Sequence, residues 1–427
     1  MAKLPKQQKA LLSVHMLRVV LELFTSTFLV SYILAQNPDS ILGTGLINIG
    51  IFYVSWNVVY GILDFASSYL VDKSNRATLL RFGIIFNILL MIALVFWGEQ
   101  ISHWIILAGA ICGMSDAFYY SSYIIMRNEL SFKGSFKKYN VLTTIAVNLV
   151  KVIVPIIMGY IIDISTFSTI AIYVIVVGVA QFLLTFLIKS TKPKDSRFEL
   201  KKFFTYLKSD KFAWSKIKYA YLNCWIAGIK TTYNVIVVIL TIYIFKTNLK
   251  LGIYTSIFSL VTILCLIAYR KADPNPKFNK FVIYLIVGSS PFLAIIATLI
   301  HTSSTTLVIL NFTLTLVSYF SDYLGDMERD AIIKNLNQYE FIAEHQFIAE
   351  ISKVTSRVIS FSFFIVIGLF SSFTVFKIFL CVILFASPIK FLVMYKQRII
   401  RKELVIRNKE LSITSSENAR EEIIPSN

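Results

Sequence analysis

Charge is scarce in this 427-residue chain: Asp, Glu, Lys and Arg make up 15% of it, against 56% hydrophobic residues. Soluble domains carry about a quarter charged residues, so this composition excludes an ordinary soluble enzyme and points to membrane spans. Acidic residues are fewer still, 24 against 42 Lys and Arg, for a net charge of +18. That excess does not mark a nucleic-acid binder. The basic residues sit in short segments between apolar runs and not on one polar domain. The four cysteines, Cys112, Cys224, Cys265 and Cys381, fall in apolar segments without metal-ligand spacing and read as reduced small hydrophobes. The four histidines, His15, His103, His301 and His345, form neither a metal nor a triad pattern. No Gly-x-x-x-x-Gly-Lys-Ser/Thr loop is present, which argues against nucleotide hydrolysis as an energy source. No cofactor, metal or catalytic constellation is expected.

What the chain has is long apolar runs. A helix needs about 20 apolar residues to cross the hydrocarbon core. By that measure twelve spans are expected, near 11–35, 43–70, 79–98, 104–126, 140–162 and 167–188, then 218–245, 251–269, 281–300, 304–325, 346–369 and 372–394. Lys3, Lys6 and Lys9 precede the first run, which is too long for a signal-peptide core and lacks a cleavage site. It reads as a retained span. With the N-terminus in the cytoplasm, the inner loops and tails, counting Arg81 at the inner end of helix 3, hold 32 Lys or Arg and the outer loops only Lys246 and Lys250. The positive-inside rule then puts both termini in the cytoplasm, in a multi-pass cell-membrane protein.

The longest internal polar stretch, 189–217, carries nine Lys or Arg. Within it Leu200, Phe203, Phe204 and Leu207 follow the i, i+3, i+4, i+7 pattern of a helix, with Lys201, Lys202 and Lys208 on the other face. This amphipathic helix is expected to lie on the anionic inner leaflet and bridge the halves. The halves echo each other: Tyr119-Tyr120-Ser121-Ser122-Tyr123-Ile124 parallels Tyr319-Phe320-Ser321-Asp322-Tyr323-Leu324, and Lys151-Val152 parallels Lys353-Val354. The fold class is therefore an all-α polytopic membrane protein with twelve helices in two pseudo-symmetric six-helix bundles. The expected division is a bundle over 1–190, a linker over 191–217, a second bundle over 218–395 and a tail over 396–427.

Residues 67–80 read SSYLVDKSNRATLL. This stretch resembles the loop signature of the major facilitator superfamily, Gly-x-Leu-x-Asp-Arg-x-Gly-Arg. Leu70, Asp72 and Arg76 match, Lys73 substitutes for the first arginine, and Ser68 and Asn75 replace the glycines. The resemblance implies a transporter working by alternating access, with Asp72, Lys73 and Arg76 gating the cytoplasmic side. A carboxylate near a helix N-terminus gains about 0.3–1 kcal/mol, enough to bias a two-state gate. This chain departs from the drug exporters of that superfamily. Helix 4 has Asp116 where they often have arginine, and Pro155 and Gly159 are the remnant of a Gly-Pro element in helix 5. The second-half counterpart of the loop, around Asp273, matches poorly.

Ionisable groups at bilayer depth cost about 2.5–3.5 kcal/mol each, so each needs a reason. Arg18 and Glu22 are one turn apart on helix 1 and in reach of each other. Asp116 lies mid-helix 4 with Lys151 of helix 5 as its expected partner. Lys230 and Arg357 have no partner on their own helices. Asp64, Lys377 and Lys390 are expected to snorkel. Such charges either pair to fix helix register or serve transport. In the second case Glu22 or Asp116 carries the coupling proton, and Arg18, Lys151, Lys230, Arg357, Tyr119 and Tyr120 line a substrate cavity. The expected activity is secondary transport of a small organic solute, in the sense of proton-coupled export by an antiporter, with the bilayer and a coupling ion as partners and a monomeric state. A lipid or lipid-linked-sugar flippase of the same fold is the alternative, and an intramembrane enzyme has less support.

Overall fold

The computed structural model describes residues 5–421 except 38–39, 74, 132–135, 189–197, 273–275, 300–303 and 337–340. Within the helices, some further side chains, those of Asp72 and Lys73 among them, also fall outside the described residues. The described residues contain no strand. Twelve long helices account for the fold: α1 Lys6–Ala35, α2 Leu46–Lys73, α3 Arg76–Trp97, α4 Ile105–Ser131, α5 Phe136–Ile164 and α6 Phe167–Leu184. The second set is α7 Lys211–Phe245, α8 Asn248–Ala272, α9 Pro276–Leu299, α10 Ser304–Asn335, α11 Ile342–Phe370 and α12 Ala386–Glu421. A short helix, Phe373–Leu384, runs directly into α12. Of the counterpart pairs, α5 and α11 are equal in length at 29 residues each. Apolar side chains surround most helices, as expected where one face meets protein and the other lipid. Ile62, Phe96, Val176, Leu183 and Leu392 are among the many exposed large hydrophobics.

The ends of the helices are built by local rules. Asn75 caps α3 by accepting from the Ala77 amide at 3.0 Å, and Thr166 caps α6 through the Thr169 amide at 3.3 Å. α1 contains a π-turn at Phe24–Phe28, one residue beyond Leu23 and two beyond Glu22. Such turns widen a helix by one residue and concentrate at functional positions. The carbonyl of Glu22 takes the hydroxyls of Thr25 at 3.1 Å and Ser26 at 2.6 Å, which supports the backbone there.

The linker helix, Leu200–Ser209, forms as its periodicity requires, and protein covers two residues of its apolar stripe while Phe204 stays exposed. Phe203 and Leu207 are buried against Ile217, Ala220, Tyr221 and Phe341, and Phe203 meets the His345 ring edge-on at 4.8 Å. Lys201, Lys202 and Lys208 on its other face are exposed, as the amphipathic pattern requires. α12 continues far past its expected end. Ile400 and Leu404 pack on Ile332 of α10, and Arg401 pairs with Glu328 at 3.1 Å. The snorkelling expectation also fails at two positions, since Lys390 is 1% and Asp64 4% exposed. Lys377 is half-buried, its ammonium over the Phe373 ring.

Candidate functional site

The two halves meet differently at the two ends of the molecule. At the end opposite the linker, one buried apolar cluster runs through both halves. Phe28, Leu29 and Met158 from the first half join Ile236, Leu251, Phe361 and Phe364 from the second. Tyr53 stacks on Phe361 with centroids 4.3 Å apart. α5 and α8 cross so closely that a Cβ on Gly252 would lie 2.1 Å from the Pro155 carbonyl oxygen. The Asp163 carboxylate, at the end of α5, takes the backbone amides of Asn248 at 3.0 Å and Leu249 at 2.9 Å. It thereby satisfies the orphan amides at the start of α8 from the other half. Ser31 of α1 donates to the Asn248 side chain at 2.6 Å.

Toward the linker end the larger buried clusters lie in one half each, and a small one, Tyr60 and Ala117 with Val354, joins α2 and α4 to α11. One, with Leu11, Ile84, Tyr119 and Met126, lies wholly in the first half. Another, with Cys265, Val282, Phe320 and Phe391, lies wholly in the second. Contact between halves persists along α2 and α11, where Phe65 and Phe347 sit with Phe198 of the linker against both rings.

Between these ends lies a buried polar network centred on Arg18, which is 1% exposed. Its Nε donates to Glu22 at 3.0 Å, and one Nη donates to Ser115 at 2.8 Å. The other Nη pairs with Asp116. The guanidinium also lies over the Tyr119 ring, 4.8 Å from its centroid. Trp56 of α2 donates its indole N–H to the second oxygen of Asp116 at 2.9 Å. That contact depends on a close α2–α4 crossing, because a Cβ on Gly113 would sit 2.5 Å from the Trp56 carbonyl oxygen. Tyr120 donates its hydroxyl to Glu22. Ser115 in turn donates to the Gly83 carbonyl at 2.7 Å, tying α3 into the same network. One buried cation thus holds two carboxylates from two helices. Every arm of its fork is occupied, the arrangement that makes an arginine tolerable at this depth.

The spacing of Arg18 and Glu22 anticipates their pairing. The Asp116 partner is a correction: it is Arg18, and Lys151 forms no ion pair or hydrogen bond among the described residues. Lys151 is half-buried and in electrostatic range of His15. Tyr119 is fully buried, its ring near those of Tyr123 and His15 in the core of the first half. The structure places it as packing under Arg18. Lys230 is buried on α7. Arg357 on α11 is half-buried, with its Nε shielded from solvent and without a hydrogen bond, in electrostatic range of Glu350. Arg76 is buried at the start of α3. The gating residues Asp72 and Lys73 lie outside the described side chains. Sequence reasoning missed Trp56, Tyr60 and Ser115. Trp56, Tyr60 and Asp64 recur every fourth residue on α2, and that stripe of polar-tipped groups was the available signal.

No curated protein matches the chain in sequence. Solved structures of similar fold include a bacterial homologue of the iron transporter ferroportin in an inward-facing state (TM-score 0.62, 13% identity, 93% of this chain and 99% of that one). A POT family transporter in complex with 5-aminolevulinic acid is also similar (TM-score 0.63, 12% identity, 94% and 97%). So is a bacterial metal transporter (TM-score 0.57, 14% identity, 93% and 100%). At these identities the likeness is one of fold. The sequence profile of the Major Facilitator Superfamily matches residues 18–323, and with twelve helices in two bundles the protein belongs to that superfamily of transporters.

Proposed function

We propose that the protein is a secondary active transporter that moves a small organic solute by alternating access, with protons driving export. The linker end is the cytoplasmic end in this reading, and the apolar cluster shared by both halves is the closed outer gate. The observation that carries the reading is the Arg18 centre. Arg18 is 1% exposed and Asp116 15%, whereas Glu22 is 29% exposed, the most open of the three. A proton can reach and leave Glu22 while Arg18 stays paired with Asp116, so the buried cation is never left alone. Glu22 is the coupling group and Asp116 the fixed counter-ion. The change of charge at Glu22 also frees or engages the Arg18 Nε and the Tyr120 hydroxyl, which gives a solute at this site a direct handle on proton binding.

Lys151, Lys230 and Arg357 are the cations that would meet an anionic group of the solute, and Tyr120 a flat or hydroxylated one. Asp72 with Lys73 and Arg76 is the latch that holds the cytoplasmic side closed when the outer side opens. Flux by the purified protein in liposomes, screened over a panel of solutes with an imposed pH gradient, tests the proposal. Gradient-driven flux that a protonophore abolishes is the expected result. Flux unchanged after collapse of both proton and sodium gradients sinks proton coupling and favours the flippase alternative.

A further inference from the structure

α7 runs 35 residues, about 52 Å at 1.5 Å per residue, against a hydrocarbon core of about 30 Å. Its first turns, which follow the linker, therefore stand beyond the core, and α12 passes beyond it at the same end. The two projections run antiparallel and are joined side by side. Gln397 donates to the Tyr219 carbonyl at 3.1 Å, Lys216 pairs with Glu403 at 2.5 Å, and the Arg407 guanidinium lies 4.1 Å from the centre of the Phe212 ring. α10 packs against the same pair through Ile332, which meets Ile400 and Leu404.

The exposed side chains of this seam are layered along the helices. On α7, Leu222, Lys218, Trp214 and Lys211 recur at helical spacing on one face, all exposed. On α12, Leu392, Tyr395 and Lys396 are exposed in the matching order. The Gln397–Tyr219 contact sets Lys218 and Lys396, their neighbours in sequence, at one level. Apolar side chains thus give way to amphipathic rings and cations, the order in which a helix leaving a bilayer meets acyl chains and then headgroups. Within 211–218 and 396–407 there are eight Lys or Arg and one acidic residue, Glu403. Glu403 is taken by Lys216, with Lys396 in electrostatic range of that pair, and Arg401 is paired with Glu328 at 3.1 Å. Lys218 lies over the Tyr219 ring, 5.5 Å from its centroid, and neither it nor Lys396 forms an ion pair among the described residues.

We propose that the seam of α7 and α12 is a binding site for the headgroup of an anionic phospholipid in the linker-side leaflet. Lys218 and Lys396, one from each helix, meet the phosphate. Tyr395 and Trp214 stand at headgroup depth, and Leu222 and Leu392 below them meet the acyl chains. That apolar layer is what selects a lipid over a free anion, which would use the cations alone. The single acidic residue of the seam neutralises one ammonium, so the remaining positive charge calls for an external counter-charge, and anionic headgroups supply it where the seam leaves the bilayer. The positive-inside count makes this leaflet the cytoplasmic one. The site lies wholly in the second half, so a bound lipid braces α7 against α12 without crossing the boundary between the halves. The inference does not depend on what the protein carries or on what drives it.

The experiment is native mass spectrometry of the full chain, released from neutral-detergent micelles that contain equal amounts of phosphatidylglycerol and phosphatidylcholine. The parent should retain phosphatidylglycerol in preference. A cation near an anionic headgroup is worth about fivefold in binding, so Lys218→Gln or Lys396→Gln should each cut the preference about fivefold, and the pair together about 25-fold. Both side chains are exposed, and the melting temperature should not move. Should it fall, Lys218→Arg with Lys396→Arg carries the test, because it keeps the charge and should keep the preference. A triple change of Lys201, Lys202 and Lys208 to Gln on the exposed face of the linker helix removes more charge and should leave the preference as it is. Excess inorganic phosphate should displace no lipid. The site is overturned by a parent without preference, by an undiminished preference in the double Gln variant, or by its loss in the linker-helix variant or in the Arg pair. Displacement by phosphate would make the seam a free-anion site and overturn the lipid assignment.

Discussion

The two ends of this protein solve the same problem, holding two six-helix halves together, with different chemistry. The end opposite the linker uses packing. A shared apolar core, a stacked Tyr53–Phe361 pair and the Pro155–Gly252 crossing leave little space between the halves. The linker end combines packing with polar contacts: cores that lie mostly in one half each, a small cluster of Tyr60, Ala117 and Val354 across them, aromatic rings at Phe65, Phe198 and Phe347, and the Tyr60–Glu350 hydrogen bond. Packing is short-ranged and all-or-none, so an end held that way opens as a unit. Polar contacts answer to protons and ions, so an end held that way can be set by them. The end opposite the linker is thus held by packing, and the linker end by packing together with polar groups that can exchange partners.

The comparison breaks most readily at the crossing of α5 and α8. Gly252→Val puts a side chain where the Pro155 carbonyl oxygen stands, and overpacking of this kind costs about 1–3 kcal/mol. We expect the outer-closed state to lose about 5- to 150-fold in population against the outer-open one. Spin labels across that end should report the change. A smaller effect is expected at Asp163, which joins the halves through the first amides of α8. Asp163→Asn keeps the shape and removes the charge, a loss of about 0.3–1 kcal/mol. The outer end should then become more accessible to a membrane-impermeant thiol reagent at a cysteine placed on Thr247, with little change in yield. Equal labelling of parent and variant would mean that apolar packing alone closes that end.

Much of the architecture was legible in the chain and much of the site was not, for one physical reason. Periodicity and hydropathy describe each helix against its surroundings, so the twelve spans, the linker helix and the Arg18–Glu22 pair at one-turn spacing follow from them. They carry no information about which helix stands beside which. Asp116 was therefore assigned to Lys151 on the next helix in sequence, whereas the fold brings it to Arg18, about a hundred residues away. Asp64 was read as lying near a helix end because span 2 was expected to stop at residue 70. α2 runs to Lys73, and the Asp64 carboxylate turns to the Ser121 hydroxyl of α4. The π-turn after Glu22 has no sequence signature, since it reflects how Thr25 and Ser26 turn back on the Glu22 carbonyl.

The two carboxylates at Arg18 offer the most direct test, because the account gives them opposite roles. Asp116→Asn removes the counter-ion that keeps Arg18 paired, and a buried donor left partly unsatisfied costs about 1–3 kcal/mol. That variant should melt earlier and yield less protein, while whatever folds keeps a pH-dependent flux. Glu22→Gln should fold as the parent does and still bind solute, and its flux in liposomes should no longer follow an imposed pH gradient. The decisive measurement is that flux, parent beside Glu22→Gln, over a range of imposed gradients. The account predicts a steep dependence in the parent and a flat line in the variant; a variant as steep as the parent would contradict it.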